Sequence, residues 1–285
     1  MVVAVLLALG PVLGCANTPD APLSENLLNR AAMNSDSVVF DIYFVRFPFG
    51  DERANESLWK RVDEQGLSTE SRRWFGENGL RAGVVSGHVS RELAELLELN
   101  NKPAPCDQAQ RGVEVDLLAE PTVVRRHLQL RLGTPGEIIA SGIYEELPLL
   151  LREGNAVCGE TYKQAQALFT LRAVPLEDGR VSIQLTPEIR HGEARQQWIG
   201  RNGMLRPVME RESRVFDNPN LETILAPGHM LLLSSVPSRP GSLGHFFFTK
   251  GDGGRKEQKL MVVRLTQTQH DELFDKPAVI VTNSE

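Results

Sequence analysis

Glu177-Asp178-Gly179-Arg180-Val181-Ser182-Ile183-Gln184-Leu185 sets a glycine-containing turn directly before a run in which aliphatic and polar residues alternate. A period of two puts Val181, Ile183 and Leu185 on one face of a strand, and the turn at its head makes that strand one arm of a hairpin. The same alternation returns at Val113, Val115 and Leu117, and again at Leu128, Leu130 and Leu132. Further strands are expected at 167–174, 209–216, 230–236, 245–249 and 260–266, with Gly and Pro punctuating the intervals. Residues 111–285 therefore read as a mainly antiparallel β domain, either a sandwich or a curled sheet.

The chain before it has another texture. Val38-Val39-Phe40-Asp41-Ile42-Tyr43-Phe44-Val45-Arg46-Phe47 is rich in β-branched and aromatic residues and is stopped by Pro48, so a strand is expected. Leu58, Trp59 and Val62 share one face of a helix expected over 55–65, with Gly66 as its stop. Ser68 or Thr69 can cap a second helix reaching Phe75 and ending near Asn78-Gly79, and a short strand follows over 80–86. Ser90 can cap a third helix carrying Leu93, Leu96 and Leu97. The segment 38–100 thus reads as a small α+β domain, separated from the β domain by a linker at 100–110 containing Pro103, Pro105 and Cys106. The fold class expected for the whole is α+β.

Size and composition set outer bounds. With 285 residues, 41% hydrophobic and 24% charged, the chain can bury a core as one large or two small domains. Its 31 Lys plus Arg against 37 Asp plus Glu give a formal charge of 31 − 37 = −6, which lacks the basic footprint of a nucleic-acid binder.

Met1 to Leu13 is almost wholly apolar and ends in Val12-Leu13-Gly14-Cys15. The run has the length of a signal-peptide core and is too short for an ordinary membrane span. Its end resembles the lipobox of bacterial lipoproteins, in which a small residue precedes the cut and the cysteine thiol takes diacylglycerol. Leu13 stands where Ala or Ser is commoner, and no Lys or Arg precedes the apolar run. A plain cleaved signal peptide and a buried N-terminal helix are the other readings of the segment. The lipobox reading makes 1–14 a signal peptide, Cys15 the lipidation site and the polar stretch 15–37 a tether. It implies a palmitate-bearing protein of the cell envelope, with the periplasmic side of the outer membrane favoured because no Asp follows Cys15. Cys106 and Cys158 would then be left to pair as a disulfide or to stand as two separate thiols.

No catalytic set emerges. Gly-x-Ser-x-Gly is absent, and Gly241-Ser242-Leu243-Gly244 reads as a turn. His88, His127, His191, His229, His245 and His270 form neither H-E-x-x-H nor a close pair, and His127 and His245 fall in strand-like runs. Gly251-Asp252-Gly253-Gly254-Arg255-Lys256 lacks the Lys-Ser/Thr of a phosphate loop and reads as a hairpin tip. Asp63-Glu64, Glu145-Glu146, Arg125-Arg126 and Arg190-His191 read as solvated pairs. No metal or cofactor is expected, and no enzyme.

Val181 to Ile189, then Arg211-Glu212-Ser213, then Leu225-Ala226-Pro227-Gly228-His229-Met230-Leu231-Leu232-Leu233 resembles, in that order, the C-terminal β-domain of bacterial secretins of type II and type III secretion. In that family an L-x-P-x-I strand precedes an Arg-containing strand and an apolar run closed by Gly-Gly; here Ser234-Ser235 replaces the glycines. Leu58 to Gln65 followed by Asn78 to Gly83 is similar to envelope proteins of the planctomycete type. The secretin likeness implies a lipid-anchored structural or assembly module, acting through protein–protein contacts with further copies or an envelope partner. The alternatives are a small-ligand-binding lipoprotein, which requires a deep apolar pocket, and an envelope hydrolase, which requires distant titratable residues to converge.

Overall fold

The structure is a computed structural model that describes residues 37–87, 93–94, 123–154, 156–201, 204–217, 220–252 and 255–269. Cys15, Cys106, the strand expected at Val113 to Leu117 and most of the helix expected after Ser90 lie outside the described residues.

Strand β1 (Ser37–Pro48) is buried on both faces along nearly its whole length, which is why its sequence runs apolar without alternation. It is flanked on both sides. β2 (Leu80–Val85), β3 (Val123–Arg131), β9 (Met230–Ser235) and β11 (Arg255–Gln269) join it in one antiparallel sheet of order β2-β9-β11-β1-β3, with β10 (Thr249–Asp252) hairpinned to β11. The second sheet is β4 (Gly136–Glu153), β5 (Ala156–Pro175), β6 (Val181–Arg201) and β7 (Met204–Val215) in sequence order, with β8 (Leu221–Leu225) paired to the first part of β6.

The alternation read in the sequence decides how the sheets meet. Val181, Ile183 and Leu185 are fully buried and lie in one apolar cluster with Phe169 and Leu171 of β5 and with Phe40, Ile42 and Phe44 of β1. The opposite face of the first sheet carries Tyr43, Val45, Leu232 and Val262, and it is covered by Trp59, Val62 and Leu93. Helix α1 (Thr69–Glu77) and the short helix α2 (Leu243–Phe248) complete the core, α2 inserting Phe247 and Phe248 against Phe169 at ring distances of 4.8 and 5.8 Å.

Four expectations change. The architecture is mostly antiparallel β with small helices, so the α+β description holds only in part. The described strands of 38–100 do not make a sheet of their own: β1 and β2 pair with β11 and β9 from the far end of the chain. Residues 55–65 are not one helix. A π-turn (Arg53–Ser57) and a 3-10 turn (Trp59–Arg61) give way to a β-bridge between Asp63 and Val84, which draws the chain extended before a helix can propagate. The strand expected at 245–249 is mostly helix α2, with only Thr249 in a strand, and Ser242 caps that helix by accepting from the His245 N–H at 3.4 Å. The expected helix ending near Asn78-Gly79 is present, capped by Ser68, and Gly79 takes the left-handed φ of +73° that follows such a helix.

Candidate functional site

The second sheet has an unusual shape for its size. Ile139, Leu168, Glu188 and Val215 form one row across all four long strands, and two residues further on Gln166, Arg190 and Ser213 form another across β5–β7. Beyond that row, among the described residues, β5 and β6 no longer pair: the remainder of β5 pairs only with β4, and β6 from His191 to Arg201 pairs only with β7. The sheet therefore forks into two hairpins. Register shifts mark the fork, between Ile139 and Ile143 in β4 and between His191 and Arg195 in β6. Gln164, with φ +51°, supplies the left-handed bend in β5, and Gly192, with φ +73°, supplies one in β6.

The two arms have different surroundings. The β4–β5 arm lies on the core, burying Leu147, Leu149 and Leu151. Its free edge is satisfied by the first sheet's connections: Leu150 N–H donates to Gly241 O at 2.9 Å, and Arg152 N–H to Asn78 Oδ1 at 2.7 Å. Tyr144 Oη donates to Phe246 O at 2.8 Å, and burial pushes its phenol up to about 12. The β6–β7 arm has no such cover among the described residues. Gln196 stands opposite Met209 and Trp198 opposite Pro207, so all four share one face of the ribbon, and all are exposed. Trp198 is 63% and Met209 65% exposed.

A polar network holds the row where the fork begins. Glu188 is buried, and its carboxylate accepts from Thr170 Oγ1 at 3.0 Å, Ser213 Oγ at 2.6 Å and Arg190 Nε at 3.0 Å. Arg190 donates through Nη1 to Glu137 Oε2 at 2.8 Å, a hydrogen bond that holds the Glu137 carboxyl below its ordinary range. The network thus joins β4, β5, β6 and β7. Every charge in it is paired, which suits a register lock better than a reactive centre.

Across the fork the Tyr162 ring meets the His191 ring at 4.7 Å, Arg211 Nη1 donates to Gln164 O at 3.3 Å, and Arg214 reaches Glu153 at 3.6 Å. Burial and a hydrogen bond to Glu160 raise the Tyr162 phenol above its ordinary range.

On the first sheet, Asp41 is buried in β1 beside the edge strand β3. It accepts from Arg125 Nη2 at 2.7 Å and contacts His127 Nδ1 at 3.1 Å, while both partners remain largely exposed.

These positions revise several sequence expectations. Arg190 is a partner of Glu188 and Glu137, and Arg125, though largely exposed as expected, is a partner of Asp41. Glu64 binds Arg81, and Asp63 turns back onto the Gln65 N–H. Gly251 pairs with Lys256 in the expected β10–β11 hairpin. Cys158 is exposed on β5 and has no disulfide partner among the described residues, which do not include Cys106. Glu188, Glu137 and Asp41 were not singled out from the sequence. Asp41's one visible signal is a carboxylate inside an otherwise apolar strand.

No family model matches the chain, and no curated protein matches it. Among solved structures it is similar to the InvG secretin-domain β-barrel of the Salmonella SPI-1 injectisome NC-base, with 13% identity over 85% of this chain and a TM-score of 0.24. It is also similar to PilQ, the Vibrio cholerae type IV competence pilus secretin, with 13% identity over 80% of this chain and a TM-score of 0.19. The structural resemblance to secretin β-domains is weak. The chain spans 65% of the first of these structures and 56% of the second.

Proposed function

We propose that this chain is a cell-envelope assembly module, secretin-related and lipid-anchored through Cys15, that joins further copies or a fixed envelope partner through its β6–β7 arm. The observation that carries the assembly reading is the ribbon itself. A two-stranded hairpin is marginal in water, yet this one leaves its sheet with Trp198, Pro207 and Met209 exposed on one face. Its outer strand β7 pairs only with β6 among the described residues, so its backbone edge is open to strand addition. Pro207, Glu210, Arg211, Glu212 and Arg214 along that strand oppose indiscriminate pairing and favour a partner of matching charge.

A photo-crosslinking residue placed at Trp198 and, separately, at Met209 of the full chain in cells tests the reading. Adducts at multiples of the chain mass, or one constant heavier adduct, are expected from both positions. Uncrosslinked monomer alone from both would overturn it. The anchor has its own test: a Cys15→Ala chain that still incorporates labelled palmitate removes Cys15 as the lipid site.

A further inference from the structure

The face of the first sheet that turns toward the second is apolar along most of its length and then changes character. On β1 that row runs Phe40, Ile42 and Phe44, and a period of two carries it on to Arg46. Lys259 of β11 stands directly opposite Arg46, and Arg126 of β3 stands directly opposite Ile42. Residues opposite one another in register share a face, so all three cations lie on the side of the sheet that meets β4. They line one open cleft of about 220 Å³, with Phe44 at its apolar end and Ala140 and Ser141 of β4 across from it. Lys259 spans the cleft, its Nζ donating to Ala140 O. Ser141 is already engaged, its Oγ donating to Gly142 O at 2.7 Å and accepting from the Ala167 N–H at 2.9 Å.

Like charges placed directly opposite on a sheet repel, and Arg46 and Lys259 are such a pair. The Arg46 side chain is only 15% exposed, so water screens that repulsion incompletely. The Glu257 carboxylate reaches Arg46 at 3.8 Å from outside the cleft, and no acidic residue is among those lining it. A chain with a formal charge of −6 has no general surplus of cations to place, which makes three on one inward face a specific arrangement. The cleft is reachable: Arg126 is exposed, and Arg46 and Lys259 are only partly buried.

We infer that this cleft binds a phosphate group, held among the guanidiniums of Arg46 and Arg126 and the ammonium of Lys259. Arginine forks match pairs of phosphate oxygens, lysine adds a point charge, and a cleft walled by one sign of charge concentrates the opposite ion. The group can arrive on a soluble phosphate or on a lipid headgroup. The site is independent of the assembly reading, since none of its lining residues belongs to the β6–β7 arm.

Inorganic phosphate is titrated into the full chain at constant ionic strength, in exchange for chloride, and read by calorimetry and by the unfolding midpoint. A saturable heat and a midpoint that rises with phosphate are expected. Arg126→Gln and Lys259→Gln should each weaken binding about ten-fold, as loss of a charged hydrogen-bond donor does. Arg131→Gln makes the same charge change on the same strand, but it is an odd number of residues from Arg126 and so faces the other way. It should bind phosphate as the parent does. Dihexanoyl phosphatidic acid, kept below its micellar concentration, separates the two sources. Binding about ten-fold tighter than phosphate or more assigns the site to a lipid headgroup, and equal or weaker binding assigns it to a soluble phosphate. Arg126 is exposed, so Arg126→Gln should keep the parent's midpoint without phosphate and carry the test even where Lys259→Gln unfolds. No saturable phosphate binding, an equal loss in Arg131→Gln, or undiminished binding by folded Arg126→Gln would each overturn the inference.

Discussion

Gly244 rests against the backbone of Gly79: a β-carbon built on Gly244 would lie 1.9 Å from the Gly79 carbonyl oxygen. The contact is held by the Gly244 N–H donating to Asn78 O at 3.0 Å and the Val236 N–H donating to Gly79 O at 2.8 Å. Helix α2 is thereby docked on the turn that ends α1, and Phe247 and Phe248 reach the core. Since backbone rather than a flexible side chain is in the way, Gly244→Ala must displace one of the two segments. It is expected to lower stability by about 2–3 kcal/mol or more, as overpacking does. Gly76, inside α1, has open space where a β-carbon would go. Gly76→Ala should raise stability by roughly 0.5–1 kcal/mol, the ordinary helix gain. Urea unfolding of the two variants reads both signs, and a tolerated Gly244→Ala would contradict the docking.

The Glu188 network makes a second prediction. Glu188→Ala leaves Thr170 and Ser213 without their shared acceptor and strips Arg190 of one of its two carboxylates. The cost is expected at about 2–4 kcal/mol, typical of breaking a buried charged network. Arg190→Met should cost at least as much as Glu188→Ala: Glu137 is half exposed and regains water, but the buried Glu188 carboxylate is left without a cation. In a double-mutant cycle the two changes should be clearly non-additive. Additive effects would mean that the row is held by apolar contacts alone.

How much of this could be read beforehand depended on whether the cause was local. The alternation of Val181, Ile183 and Leu185 is a local record of a strand with one buried face, and β6 begins at Val181 with all three buried. The Ser68 cap and the Gly79 stop are equally local, and α1 lies between them. By contrast, Phe40 is buried because Leu265 and Leu128 flank it, one of them from the far end of the chain. Sequence distance made 38–100 look like a separate domain for that reason. His245 to Phe248 looks like a strand in the sequence because a short apolar run carries no period; the Gly79–Gly244 contact, which fixes the helix, is tertiary. The Glu188 row failed to announce itself for the same reason. Its members are drawn from four strands, and only their register brings them together.

Asp41 gives the fold a defined acid dependence. Burial raises its pKa, but hydrogen bonds from Arg125, His127 and Thr266 outweigh burial and hold the carboxyl below the ordinary value. A folded pKa below the unfolded one, about 3.9, means that ionisation favours the folded state. The contribution is complete above that unfolded value and is lost as pH falls through the folded one. Asp41→Asn should therefore cost about 1–3 kcal/mol at pH 7. The gap between variant and parent should narrow progressively below about pH 4. Stability measured in denaturant at pH 7, 5, 4 and 3 tests this, and a gap that stays constant to pH 3 would remove the carboxylate's role.

The ribbon residues offer the converse case, in which a substitution should spare the fold and damage assembly. Trp198 and Met209 are mostly exposed, and no apolar cluster among the described residues includes them. Replacing both with Ser removes no core contact, so the unfolding free energy of the isolated chain should stay within about 0.5 kcal/mol of the parent. The same pair of changes takes a large apolar surface from the ribbon face opposite Gln196 and Pro207. If that face is where a partner sits, the heavier species seen in cells should be lost while the monomer remains folded and abundant. The measurement is the ratio of assembled to monomeric chain in native electrophoresis of envelope extracts, set beside denaturant unfolding of purified protein. A stability loss of several kcal/mol would show that the ribbon face is part of the protein's own core. An unchanged assembly ratio would show that the partner, if there is one, docks elsewhere.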